Sequence, residues 1–220
     1  MSIKTLVIGG TGAIGAKVVA ALQAEKDTTV LIGGRSDKCD VQIDINDPTS
    51  VAKALAPFKE GTADDKNKLH HIFICCGDGL FKHLTQSTRA DYTAAFNSKV
   101  LGQIDVALQA KDCLVSGGSI TLTSGCLDKV YIPAGVAASA LNASVNAFAR
   151  SAANEMPRGT RINAVSPGLL TESAATYGPF FRGFKTVDGS DVALAYIRSA
   201  FGGITGKVLE VTPGNQFMEA

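Results

Sequence analysis

Gly10-Thr11-Gly12-Ala13-Ile14-Gly15 follows a short apolar run, Thr5 to Ile8, and precedes an apolar-periodic stretch, Ala13 to Leu22. The pattern is G-x-G-x-x-G at a strand-to-helix turn. Glycines let the backbone approach an anion, and a helix start offers unpaired N–H groups and a partial positive charge. The chemistry implied is capture of a dinucleotide pyrophosphate. Twenty positions after Gly15 stands Arg35, followed by Ser36. A site for NAD usually carries an acidic residue there, to meet the ribose 2′-OH. A guanidinium and a hydroxyl suit a 2′-phosphate instead. The expected cofactor is therefore NADP(H).

The elements that position this loop follow from the apolar pattern. Strands are expected at Thr5–Ile8, Thr29–Ile32, Val41–Ile45, His71–Cys76, Ser119–Thr123, Arg161–Val165 and Lys207–Val211. Helices are expected at Ala13–Leu22, after the Asn46-Asp47-Pro48 start, across Arg89–Cys113, from Pro133 to Met156, and at Asp191–Phe201. The polar stretch Glu60 to Lys68 reads as a loop. Continuous apolar strands alternating with helices imply an α/β fold, with a doubly wound parallel seven-stranded sheet covered on both faces. No repeat or composition break divides the 220 residues, so a single domain, 1–220, is expected.

Composition narrows the class. Hydrophobic residues make up 45% and the net charge is +1, which excludes a disordered chain and a long-range pull toward nucleic acid. No run of apolar residues is long enough for a membrane span. The start, Met1-Ser2-Ile3-Lys4, superficially resembles a signal peptide, but Gly9, Gly10, Gly12 and Gly15 break it as a turn would. Cys39, Cys75, Cys76, Cys113 and Cys126 are odd in number and lack scaffold or zinc spacing. They imply a reducing cytoplasm and no metal.

The order of motifs resembles the short-chain dehydrogenase/reductase family over nearly the whole chain. Gly9, Gly12 and Gly15 fit the G-x-x-G-x-x-G spacing of its extended and atypical members. Asp44-Ile45 stands where the family places an acidic residue against the adenine, and Cys75-Cys76-Gly77 where it has Asn-Ala-Gly. Gly118 to Ser124 looks like the strand leading to the catalytic serine. Arg161-Ile162-Asn163-Ala164-Val165-Ser166-Pro167-Gly168 is the most specific match, with Thr171 as the threonine that meets the cofactor phosphates. Gly206 to Val211 resembles the last strand. The resemblance implies a Rossmann fold. With the residues read above, it places the cofactor against Gly9, Thr11, Gly12, Ala13, Ile14, Gly15, Arg35, Ser36, Asp44, Ile45, Cys76, Gly77, Pro167, Gly168, Leu169 and Thr171.

Catalysis departs from the family. Its members use a Tyr-x-x-x-Lys pair with a Ser and an Asn. Counted back from Arg161, the Tyr position falls on Ala138, the Lys position on Asn142 and the Ser position on Gly125. The Asn position falls on Lys99, with Asn97 as runner-up. A different acid is therefore needed. Lys99 is the first candidate, since desolvation lowers an ammonium's pKa. Ser124 ends a strand on the cofactor side, and Tyr131 lies seven residues before Ala138. Asp128, Lys129 and Cys126 are weaker candidates. An already electrophilic imine or iminium would need the least help.

The resemblance implies that the segment after Pro167-Gly168, about Leu170 to Val187, is the substrate lid; Tyr177, Phe180, Phe181 and Phe184 could line a pocket and Gly178 and Gly183 could hinge it. Ala134, Ala137, Ala138, Leu141 and Val145 form a small-residue stripe that resembles the family's four-helix contact; the resemblance implies a homodimer or homotetramer, while burial against the chain's own sheet would use the same pattern. Three functions fit these residues. The first is an NADP(H)-dependent reductase of a small carbonyl or imine. The second is a non-redox isomerase, cyclase or lyase, and the third an NADP(H)-sensing protein. Replacing Arg35 by Asp is expected to weaken NADPH binding; unchanged affinity in a fluorescence titration would refute the 2′-phosphate assignment.

Overall fold

In the computed structural model, which describes residues 2–62 and 66–214, seven strands form one parallel sheet in the order β3-β2-β1-β4-β5-β6-β7. They are β1 (Ile3–Ile8), β2 (Thr28–Gly34), β3 (Val41–Gln42), β4 (Leu69–Ile74), β5 (Leu114–Thr123), β6 (Arg161–Pro167) and β7 (Val208–Val211). The order reverses between β1 and β4, so their carboxyl ends part and open a crevice. Leu6, Ile8, Ile72, Ile74, Ile120 and Leu122 face one side of the sheet, and Val7, Phe73 and Val165 the other. This double burial is why the strands are apolar without a break.

Helices α2 (Pro48–Lys59), α4 (Gly102–Ala110) and α5 (Val136–Ala152) cover the first face, and α1 (Ala13–Gln23) and α7 (Gly189–Phe201) the second. Asp47 caps α2 by accepting from Thr49 N–H, with Pro48 in the first turn. Helix α3 (Arg89–Ala95) opens with a capping box between Thr88 and Asp91, and Lys82 donates to the same carboxylate at 2.7 Å.

Several boundaries differ from the sequence expectation, and the fourth strand, Leu69–Ile74, ends before Cys75 and Cys76. The third strand pairs only at Val41 and Gln42, because Asp44 N–H turns to the Ser50 hydroxyl at 3.0 Å and peels the chain from the sheet. The long helix starts at Val136 rather than Pro133, since Ala134 sits at φ 63°. Between α3 and α4 the helix widens into a π turn, Phe96–Leu101. Part of the expected loop Glu60–Lys68 lies outside the described residues.

The small-residue stripe of α5 is covered from within. Ala134, Ala137, Ala138, Leu141 and Val145 are all buried against the chain's own core. They do not carry an interface between subunits, and that support for the dimer is withdrawn. The Leu170–Val187 segment contains a short helix, α6 (Ala174–Tyr177), and closes on itself through the Leu170 and Val187 backbones. Among the described residues no helix is long and apolar enough to cross a membrane.

The glycine loop is held by contact rather than by side chains. A Cβ on Gly15 would stand 2.0 Å from Gly9 O, so α1 can lie against the loop only with glycine at that position. Gly15→Ala is expected to cost about 1–3 kcal/mol through overpacking. In a thermal melt that is a fall of roughly 2–12 °C. Gly178→Ala, which meets nothing within 4 Å, should melt with the wild type.

Candidate active site

The crevice holds two cavities that meet at Gly77. The first, about 220 Å³, is lined by Gly9, Thr11, Gly12, Arg35, Asp44, Ile45, Cys76 and Gly77. Gly9 takes φ 81°, and its absent Cβ would press on Cys75 O at 2.9 Å. Helix α1 starts at Gly12 with no side-chain cap and no acidic residue in its first turn, and Thr11, Gly12 and Ala13 are exposed. Its free N–H groups therefore face solvent at an electropositive helix end. An anionic pyrophosphate fits this seat.

Other expected cofactor residues sit differently. Ile14, half-buried, packs against the core, and Gly15 is enclosed against Gly9. Ser36 lines neither cavity, because its hydroxyl accepts from Lys38 N–H at 3.2 Å. Thr171 is exposed and lines neither cavity, while its N–H donates to Val187 O at 2.9 Å. Pro167, Gly168 and Leu169 line the second cavity. Asp44 keeps its place beside Arg35, its Oδ1 accepting from Asn46 N–H at 3.0 Å.

The second cavity, about 190 Å³, is where the expected catalytic positions converge. Lys99, Gly125, Ala138 and Asn142 all line it, as does Ser124. Lys99 comes from the π turn, a helix defect that recurs at functional sites. Gly77, at φ 123°, lets this turn approach, since a Cβ there would lie 3.0 Å from Lys99 Cα. Gln103, fully buried, fastens it: Nε2 donates to Lys99 O and Thr123 O, each at 2.9 Å, and Oε1 accepts from Thr123 N–H at 2.8 Å. Lys99 Nζ then donates to Ser124 O at 3.0 Å. Burial lowers its pKa to about 8, opposed by the Asp78 carboxylate.

Ser124 is buried and its hydroxyl donates to Val165 O at 3.3 Å. Tyr131 does not reach the cavity: it is 65% exposed and does not line it, so it is withdrawn as a catalytic candidate. Asp128 and Lys129 also lie outside it, Asp128 bonded to Asn146 and Lys129 paired with Glu210. Burial raises the Cys76 thiol to about 12 and the Cys126 thiol to about 11, which removes both as nucleophiles at neutral pH. Tyr177 and Phe181 from the lid line the cavity with Phe81, whose ring lies 5.1 Å from that of Tyr177.

Sequence reading did not single out Phe81 or Gln103. A glutamine four residues after Lys99, on the buried side of the same helix, was the available signal.

A family model described as enoyl-(acyl carrier protein) reductase matches residues 11–195. The chain belongs to the short-chain dehydrogenase/reductase family. Solved structures of this oxidoreductase family match it over nearly the whole chain. The protein lin1944 from Listeria innocua is 38% identical, with a TM-score of 0.87 covering 96% of this chain and 100% of that one. A small-chain dehydrogenase in complex with NADPH is 26% identical, with a TM-score of 0.82 over 96% and 97% of the two chains. An uncharacterised oxidoreductase of Methylorubrum extorquens is 28% identical over 188 residues, 79% of this chain and 75% of its own.

The Lys99 shift has a measurable sign. Its folded pKa of about 8 lies below the ordinary 10.5, so the folded state is penalised while the amine is charged. The unfolding free energy of the wild type, relative to Lys99→Met, should rise as pH climbs from about 8 toward 10.5. A difference that stays flat over that range would remove the shift.

Proposed function

We propose that this short-chain dehydrogenase/reductase is an NADP(H)-dependent reductase of a small carbonyl compound, with Lys99 as its proton donor in place of a tyrosine. The observation that carries the reading is the Lys99 ammonium in the second cavity, which Gly77 joins to the cofactor crevice. Arg35 and the α1 start would hold the 2′-phosphate and pyrophosphate, and Asp44 the adenosine end. When bound, the dinucleotide supplies or accepts the hydride.

The chain's own residues do the rest. Lys99 holds a proton on Nζ within reach of the cavity and has a pKa near the working range, which favours general acid catalysis. In reduction the Nζ–H bond breaks as the substrate O–H bond forms, and the amine regains a proton from solvent. In oxidation the free amine takes that proton. Before transfer, the ammonium stabilises negative charge growing on the oxygen. Ser124 fixes the ammonium through its backbone carbonyl, and Gln103 fixes the turn that carries it. The lid aromatics exclude water.

Lys99 also selects between the substrates considered. Among the described residues it is the only charged side chain lining the cavity. A permanent iminium would meet a like charge, whereas a carbonyl oxygen or a neutral imine is attracted. The solved relative in complex with NADPH supports the cofactor.

The test is NADPH oxidation, followed by absorbance, with matched ketone and iminium acceptors. Ketone turnover is expected to exceed iminium turnover and to decline as pH rises through about 8. Lys99→Met should lower ketone kcat about 10²–10⁴-fold and abolish that decline. NADPH binding without oxidation by any acceptor would defeat the redox reading and favour the scaffold or sensor role.

A further inference from the structure

Lys99 carries a buried charge without an ion pair. Its ammonium donates to the Ser124 carbonyl, and among the described residues no carboxylate comes within ion-pair reach of it. Burial favours the neutral amine, so a negative charge nearby is needed to hold the proton on. The ionisable groups around Lys99 are few. Cys126 and Tyr177 line the same cavity, and Cys76 and Asp78 line the adjoining one. The Cys76 and Cys126 thiols, raised by burial to about 12 and about 11, carry no charge at neutral pH. Helix α5 contributes only Ala138 and Asn142 to the cavity, both neutral, and the lid contributes the Tyr177 phenol. The first cavity's other carboxylate, Asp44, sits beside Arg35, whose opposite charge offsets it. Asp78 remains.

Asp78 is held to the turn that carries Lys99. Ser98, buried and immediately before Lys99, accepts from Asp78 N–H at 3.1 Å and donates to Asp78 Oδ2 at 3.4 Å. Gly77, immediately before Asp78, lets the two backbones meet beside Lys99 Cα. Two neighbouring residues of one segment are thus matched to two of the other. The carboxylate itself is exposed and lines the first cavity, not the second. A carboxylate inside the second cavity would take up the ammonium's hydrogens. From the adjoining one it acts on the charge through space. Two of the three ammonium hydrogens stay free for a ligand.

We propose that Asp78 is a positioning residue of the active site: its carboxylate, fixed by Ser98, is the counter-charge that keeps the Lys99 ammonium protonated and ready to give its proton. The counter-charge is a property of the free chain, while the proton's destination rests on the reductase reading. Asp78 neither gains nor loses a proton in the step. The Nζ–H bond still breaks as the substrate O–H bond forms, and solvent still restores the amine. The sign follows from the attraction. The carboxylate raises the Lys99 pKa against burial, so its removal lets Lys99 lose the proton at lower pH.

The experiment compares Asp78→Asn, Asp78→Glu and Ser98→Ala in the full chain. The first readout needs no substrate: the unfolding free energy relative to the same chain carrying Lys99→Met, followed against pH. In the wild type that difference should begin to rise near pH 8. With Asp78→Asn the rise should begin about one pH unit lower. The second readout is ketone reduction by NADPH, whose alkaline decline should move down by the same amount. A merely structural role would lower kcat at every pH and leave the midpoint in place. Asp78→Glu, which keeps the charge, should keep both midpoints near those of the wild type. Ser98→Ala, which frees the carboxylate, should move both part of the way, and it decides the matter if Asp78→Asn does not fold. Midpoints that stay in place overturn the proposal, and with ketone turnover intact they leave the reductase reading standing. A stability midpoint that moves in a chain reducing no ketone supports the counter-charge and sinks the reductase reading. An equal loss of kcat at every pH, with NADPH affinity down about tenfold by fluorescence, gives the carboxylate to the dinucleotide and overturns the proposal.

Discussion

A single buried amide, Gln103, joins the two elements that meet at the second cavity. Its three hydrogen bonds tie the π turn to the end of β5. A π turn frees a carbonyl from the regular helical ladder, and a free carbonyl in the core must find a donor. Gln103 supplies that donor to Lys99 O and in the same stroke satisfies both backbone groups of Thr123. The neighbouring residue, Ser124, then presents the carbonyl that steadies the Lys99 ammonium. The position of the cavity's one charge is therefore set by an uncharged side chain that does not line the cavity.

This arrangement also explains why the cation can come from an unusual element. Resemblance to the family assigns a lysine to the long helix and an asparagine to the preceding one. Here Lys99 stands on the preceding helix and Asn142 on the long one. Both positions line the same cavity, so a cation is still delivered to it, from a different helix. Delivery from the π turn requires close approach to the strand end after β4, and Gly77 permits it. An amide on α5 costs less to bury than an unpaired ammonium would.

Most of the architecture is written locally. Thr5 to Ile8, the glycines and the stretch after them announce strand, turn and helix, because each signal depends on neighbours in the chain. Asp47-Pro48 announces α2 for the same reason. Features set by distant partners were not legible. The early end of β3 depends on the Ser50 hydroxyl catching Asp44 N–H. The π turn depends on Gln103 finding Thr123, twenty residues away. The α5 stripe reads equally as an interface or as a buried face, and only packing decides between them. Tyr131 was placed by counting residues, but the turn at Ala134, with φ 63°, reorients the chain before α5 begins. The convergence of Lys99, Ser124 and Asn142 was half legible: their identities stood out, while their meeting in one cavity is a property of three-dimensional surroundings.

The paired Leu170 and Val187 backbones have a consequence for how this chain could diversify. Their hydrogen bonds, Thr171 N–H to Val187 O and Val187 N–H to Leu169 O, both 2.9 Å, tie the two ends of the lid together beside β6. Loop-closure entropy is then met once, at the base, and grows only slowly with what lies above it. Residues can be inserted, deleted or exchanged in the enclosed segment without changing how its ends leave the sheet. The fold thus treats the cavity's roof as an interchangeable part. Its seat for a dinucleotide, by contrast, is fixed by glycines in contact with backbone, where even one methyl group has no place to go.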